Sequence, residues 1–194
     1  MNSEDMALIL LAAGHSRRFG DEDKLLADLD GRPLGVHMAE RLCALNWRQT
    51  LAVVVSDELR DTLTRLGFET LTPLPLAGMG DNLALAARQV GGAAGVVVCL
   101  ADMPFVPLTH IAALVRALAD GITIAVSAAG EAKGPPVAFS AAHIGALRAL
   151  SGDEGARRIL ISAAVQTVSI ETLSEDLSDI DTSADLERAR GRFG

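Results

Sequence analysis

This sequence predicts an α/β fold of three layers, with helices on both faces of a mostly parallel sheet. Three observations carry the expectation. Apolar runs without polar alternation occur at 7–13, 51–55 and 94–100, and a strand covered on both faces reads that way. Stretches with helically spaced apolar residues alternate with those runs, an order that yields a parallel sheet. The first run also stops at Gly14 and opens into a loop bearing Arg17, Arg18 and Lys24, and in such sheets ligands bind beyond the carboxyl ends of the strands.

With 194 residues, the chain is expected to form one domain over 1–194 with a sizeable core. Apolar residues make up 49% and charged ones 22%, which is ordinary for a globular protein. A net charge of −8 argues against a nucleic-acid-binding surface and makes the cationic loop a local exception. Both cysteines, Cys43 and Cys99, lack the spacing of a zinc site and are expected as buried thiols in a reducing cytoplasm. No apolar stretch approaches the roughly 20 residues that span a bilayer. The acidic start Asn2-Ser3-Glu4-Asp5 is unlike a signal peptide, so a cytoplasmic protein without a membrane partner is expected.

The first strand leads into Leu11-Ala12-Ala13-Gly14-His15-Ser16-Arg17-Arg18-Phe19-Gly20 and on to Lys24. Gly14 and Gly20 allow close backbone approach to a ligand, while Ser16, Arg18 and Lys24 add donors and positive charge, a chemistry suited to a triphosphate. Five residues separate the glycines and Asp21 follows, so the stretch is not a P-loop, and Ser16 stands where a dinucleotide fingerprint needs glycine.

Gly31 and Pro33 mark a turn before a helix at 34–45. The second strand, 51–55, precedes a helix at 57–66 that Gly67 ends, and 68–71 is a short strand. Gly78-Met79-Gly80-Asp81-Asn82 runs into another helix, which Asp81 or Asn82 can cap and whose first N–H groups can face an anion. The run 94–100 is the most strand-like of all, and Asp102 follows it. A carboxylate at the end of a buried strand is a poor choice for stability. It suits Mg²⁺, which takes one or two carboxylates and completes its shell with water and phosphate; capping the helix near Leu108 is the competing role.

A helix at 108–118, a strand at 122–126, a loop returning into a strand at 136–139, a helix after Asp153 and a strand at 166–170 complete the alternation. Asp179 and Asp181, two residues apart, share a face of an extended chain and offer a second metal contact. The alternative for Asp179, Asp181 and Asp185 is a solvated acidic helix start. His15, His37, His110 and His143 are scattered, and no Ser-His-Asp or Cys-His arrangement is visible.

The stretch from Leu11 to Lys24 resembles the opening motif of the MobA-like nucleotidyltransferases, Leu-x-x-Gly-x-Ser-x-Arg-Met/Phe-Gly followed by an acidic-Lys pair. Its Ala12-Ala13-Gly14 form with Phe19 is most similar to the molybdenum cofactor cytidylyltransferases. Further matches run to Leu186 in the family's order: Asp30-Gly31-Arg32-Pro33-Leu34, Gly78-Met79-Gly80 with Asn82 at a serine position, Leu100-Ala101-Asp102-Met103-Pro104, Gly134-Pro135-Pro136-Val137, Gly152-Asp153-Glu154-Gly155-Ala156-Arg157, and Asp179-Ile180-Asp181-Thr182 with Ser183 for a proline.

The resemblance implies a Rossmann-like fold of the nucleotide-diphospho-sugar transferase kind and transfer of CMP from CTP to the phosphate of molybdopterin or its molybdenum-loaded form, with pyrophosphate leaving. It implies Arg18, Lys24 and Asp102 as catalytic residues. The nucleotide would be held by Leu11, Ala12, Ala13, Gly14, Ser16, Arg18, Gly20, Lys24, Gly78, Gly80, Asn82 and Asp102. Mg²⁺ would sit on Asp102 and Asp181, and the acceptor on Lys133, Pro136, Asp153 and Arg157. A molybdenum hydroxylase apoenzyme or its maturation factor is the implied downstream partner. GTP in place of CTP, a sugar-phosphate acceptor, or a non-catalytic cofactor carrier are the alternatives.

Overall fold

The computed structural model describes residues 1–14, 19, 23–119 and 121–192. Its centre is β1, Met6–Ala12, in which Met6 to Leu10 are fully buried. Two parallel neighbours flank it: β4, Gln49–Val54, pairs Leu11 with Val53, and β6, Gly95–Leu100, pairs Leu11 with Leu100. Short β5, Glu69–Leu71, extends the sheet beyond β4. On the other side come β8, Ala132–Ser140, then β7, Ile124–Ala129, and β9, Thr167–Glu171, giving seven strands in the order β5-β4-β1-β6-β8-β7-β9. Only β8 runs against the rest, so the sheet is mostly parallel as the apolar runs predict. A two-strand ribbon, β2 at Asp28–Leu29 and β3 at Arg32–Pro33, fills the stretch expected as a connector.

The uninterrupted apolar strands have two covered faces because alternate side chains enter separate cores. Met6, Leu8, Leu10 and Ala12 pack with α1, Leu34–Leu42; α2, Asp57–Arg65; α4, Leu108–Ala117; and α7, Ser183–Ala189. Ala7, Ile9 and Ala13 pack with α3, Met79–Gln89; α5, Ile144–Arg148; and α6, Arg157–Ser162. Three layers result, as expected. Among the described residues no helix is long and apolar enough to cross a membrane.

Several local expectations change. Helix α1 ends at Leu42, earlier than its apolar pattern suggests, so Cys43 falls past the buried face and is exposed; Cys99, inside β6, is buried as expected. Burial raises the Cys99 thiol pKa. The acidic stretch at Asp153 is a loop rather than a first helical turn, and α6 starts only at Arg157. Asp102 caps nothing: the residue before α4 is Pro107, and its helix start uses no side-chain cap.

Candidate active site

Parallel pairing decides where the site lies. Because β1 and β6 are parallel neighbours, the segments that leave them, at Gly14 and at Asp102, emerge side by side on one edge of the sheet. The N–H of Ala101 donates to the Leu11 carbonyl at 3.0 Å and ties the two exits together. A third segment joins them when the N–H of Ile180 donates to the Asp102 carbonyl, also at 3.0 Å, which delivers Asp181 to the same place. The chain end supports this corner. Arg192 lies over the Phe105 ring at 3.6 Å, and the Gly191 N–H donates to the Asp30 carboxylate.

Lys24 stands at the centre of the convergence. It follows a 3-10 turn entry in which Asp23 accepts from the Leu25 N–H, and it is 6% exposed. Its ammonium donates at 2.7 Å to Asp102 Oδ2 and at 2.7 Å to Asp181 Oδ1. Burial pulls the Lys24 pKa down, but the charge of Asp102 and the hydrogen bonds to both carboxylates outweigh it and hold it above its ordinary value. Beside the cluster, partial burial and the charges of Asp181 and Asp102 raise the Asp179 carboxyl. The sequence names Asp102 and Asp181 as a metal pair and Lys24 as a phosphate ligand. The geometry places the ammonium between the two carboxylates.

A cavity of about 560 Å³ opens here, walled by Leu11, Ala13, Gly14, Lys24, Leu25, Ala77, Gly78, Met79, Asn82, Leu100, Asp102 and Asp153. Of the residues expected at the nucleotide, seven are therefore on one wall or another: Leu11, Ala13, Gly14, Lys24, Gly78, Asn82 and Asp102. Ala12 is not on the wall, since alternation turns its side chain to the opposite core. Ser16, Arg18 and Gly20 lie outside the described residues. Leu25, Ala77, Met79 and Leu100 also line the cavity, apolar side chains that carry no chemical mark of a site in the sequence.

Gly80 is not on that wall either. Its N–H, expected to face an anion, donates to the Gly152 carbonyl at 2.7 Å, and the Gly78 N–H donates to the Asp81 carboxylate at 3.0 Å. A Cβ on Gly80 would stand 2.8 Å from the Gly152 carbonyl oxygen, and one on Gly78 would fall inside the same peptide. The two glycines thus admit the 151–153 loop, and Gly78 is at the same time on the cavity wall. Asn82 does not cap α3; it lies one position beyond Asp81, 5% exposed, with no hydrogen-bond partner for its Oδ1.

Residues expected at the acceptor divide. Asp153 reaches the cavity wall, whereas Arg157 is exposed at the start of α6 and is not on that wall. Lys133 is exposed on the β7–β8 hairpin, which projects from the same sheet edge as the cavity because β7 runs parallel with β6. Pro136 is turned inward: its carbonyl accepts from the Ser127 hydroxyl at 2.6 Å. Ser127 in turn is 2.8 Å from His110 Nε2. Since the serine proton goes to Pro136, the His110 Nε2–H is the donor of that pair.

The donor set at the cluster is hard and anionic, two carboxylate groups, which fits a divalent cation such as Mg²⁺. Among the described residues no group of three or more His, Cys, Asp or Glu could hold a metal by itself. Two carboxylates from the described residues leave the rest of such a cation's shell to water, phosphate or other groups.

The fold, with the family match that follows, defines the class: an α/β nucleotidyltransferase. The chain belongs to the MobA-like NTP transferase domain family, whose model matches residues 8–168. It is 32% identical to the purine catabolism protein PucB of Bacillus subtilis, over 98% of each chain. It is also 34% identical to a probable molybdenum cofactor guanylyltransferase of Pyrococcus horikoshii, over 43% of this chain and 45% of that one. Among solved structures, an Rv0371c homologue from Mycobacterium sp. strain JC1 superposes with a TM-score of 0.80 at 26% identity, over 95% and 94% of the two chains.

Proposed function

We propose that this protein transfers CMP from CTP to the phosphate of molybdopterin or of the molybdenum cofactor, releasing pyrophosphate, with Mg²⁺ as its cofactor. The observation that carries the reading is the Asp102, Lys24 and Asp181 cluster at the mouth of a cavity between β1, β6 and α3. The Ala12-Ala13-Gly14 form of the loop supports cytidine. A relative named for molybdenum cofactor chemistry supports the acceptor, with GMP rather than CMP as the group it moves. A molybdenum hydroxylase apoenzyme or its maturation factor would receive the product.

Phosphoryl-type transfers of this kind depend on positioning and charge neutralisation more than on a covalent nucleophile. An acceptor phosphate oxygen attacks the α-phosphorus in line as pyrophosphate departs. Asp102 and Asp181 would hold the divalent cation, which supplies positive charge to the triphosphate when bound. Lys24 keeps a positive charge at the same point and neutralises the leaving pyrophosphate, aided by Arg18. The backbone from Ala13 and Gly14 approaches the nucleotide, and Leu11, Leu25, Ala77 and Leu100 exclude water from the cavity's apolar wall.

The decisive experiment is pyrophosphate release with Mg²⁺ and molybdenum cofactor, comparing CTP, GTP, ATP and UTP, in wild type and Asp102→Asn. Release with CTP, lowered by about 10²-fold or more in the variant, is the expected outcome. Release with GTP alone moves the assignment to guanylyl transfer. Unchanged activity in Asp102→Asn removes the metal assignment, and a folded wild type silent with every nucleotide overturns the catalytic reading in favour of a carrier.

A further inference from the structure

We propose that the outer edge of β9 is a self-complementary interface, through which the chain pairs with a second copy of itself by antiparallel contact of the two β9 strands about Ser169. Among the described residues β9 ends the sheet, with β7 as its one strand neighbour. The Gln166 carbonyl accepts from the Thr123 N–H, and the Thr172 N–H donates to the Ala128 carbonyl, both at 2.9 Å. Even-numbered residues of β9 therefore direct their backbone groups to β7, and Ser169 and Glu171 direct theirs to the open side. Thr167 offers only its carbonyl there, because its N–H is held by the Ala164 carbonyl in the 3-10 turn that enters the strand.

Monomeric proteins guard such an edge with lysine, proline or a bulge. No lysine or proline occurs from Val165 to Leu173, and the β7–β9 register runs without a shift. The other edge of the sheet, β5, is three residues long and ends just before Pro73.

The order of residues along β9 commits the edge to a second copy. Antiparallel pairing about Ser169 sets each residue against the one equally far on the other side of it, so an interface of this kind must read alike in both directions. The run Val165-Gln166-Thr167-Val168-Ser169-Ile170-Glu171-Thr172-Leu173 does so: apolar, polar, polar, apolar, polar, apolar, polar, polar, apolar. Val168 meets Ile170 of the second copy, each half-buried against its own core and covered further by the other. Beyond the ladder Val165, 97% exposed, meets Leu173, 63% exposed. Glu171, the one charge in the run, falls opposite Thr167, so no like charges are opposed. The two Ser169 residues exchange both N–H···O bonds, and each Glu171 N–H finds the Thr167 carbonyl of the other copy, the one backbone group that residue has free. With the β9 edges consumed and β5 so short, assembly stops at two. The two-fold axis points the carboxyl edges of the sheets in opposite directions, so both cavities stay open and the inference is independent of what they bind.

The test is sedimentation equilibrium of the full chain from about 1 to 200 µM. A short strand pair is a small interface, and half-dimerisation at about 10–100 µM is expected, with the mass rising from 20.2 kDa towards twice that. Ser169→Pro removes the N–H at the axis and leaves the β7 ladder intact; it should be monomeric throughout. Val165→Lys, at a site too exposed to affect folding, should weaken the dimer by about 10-fold or more, since the change enters the interface twice. Adding Leu173→Glu to Val165→Lys sets opposite charges against each other and should recover at least half of that loss on a logarithmic scale. A wild type that stays monomeric to about 200 µM overturns the proposal. So does a dimer that persists in Ser169→Pro or keeps its wild-type affinity in Val165→Lys, and so does a double variant no tighter than Val165→Lys alone.

Discussion

Replacing Lys24 with methionine keeps most of the side-chain volume and removes the ammonium that Asp102 and Asp181 share. Side-chain exposure is 8% for Lys24, 20% for Asp102 and 38% for Asp181, so the cluster lies between two regimes. Removing one partner of a fully buried ion pair costs about 3–5 kcal/mol, whereas exposed pairs are worth about 0–1 kcal/mol. Water reaching Asp181 screens the repulsion left behind, and about 2 kcal/mol is the expected loss. In a domain of this size that lowers Tm by roughly 4–8 °C. Mg²⁺ should then act unequally. In the wild type the ammonium competes with the cation for the same oxygens. In Lys24→Met that competitor is gone, and a weakly held cation present near its Kd stabilises by about 0.4 kcal/mol. Thermal unfolding at fixed ionic strength, with and without millimolar MgCl₂, measures both effects. An unchanged Tm in the metal-free variant, or the same Mg²⁺-induced rise in both proteins, refutes the reasoning.

Two further outcomes follow from packing and titration. Gly78→Ala should lose about 1–3 kcal/mol in urea denaturation because its Cβ meets the Gly152 peptide, while Gly91→Ala, with open space around it, should change stability by no more than about 1 kcal/mol in either direction. Burial lowers the His110 pKa, with Asp176 opposing; a depressed folded value means that the contribution is complete above the ordinary 6.5 and is lost as pH falls through the folded value. Thermal stability should therefore decline below about pH 6.5, and His110→Gln should flatten part of that decline, the remainder coming from His143, whose pKa burial also lowers.

The sheet was legible because strands buried on both faces have nothing polar to interrupt them: β1, β4 and β6 appear as apolar runs within one or two residues of their ends. Elements too short for a period were not, among them α5 and the β2–β3 ribbon. At the site, chemistry was easier to read than placement. Asp102, Asp181 and Lys24 are each marked by residue type and position, yet nothing local says that an ammonium sits between the carboxylates, since that depends on Ile180 pairing with the Asp102 carbonyl. Gly78 and Gly80 mislead for a related reason. A glycine before a helix suggests an anion, and here the empty Cβ positions are filled by residues 151–153.

Charge at the cleft explains why cation and nucleotide should arrive together. Among the described residues one ammonium, that of Lys24, faces the two carboxylates of Asp102 and Asp181, and Asp153 adds another acid to the cavity wall. The chain as a whole carries −8, so its long-range field opposes an incoming triphosphate. Described residues alone leave the cavity net negative, and two carboxylates without further protein ligands hold a divalent ion weakly. Each deficit would be the other's remedy: the cation would gain phosphate oxygens as ligands, and the triphosphate would meet a site whose excess negative charge the cation has cancelled.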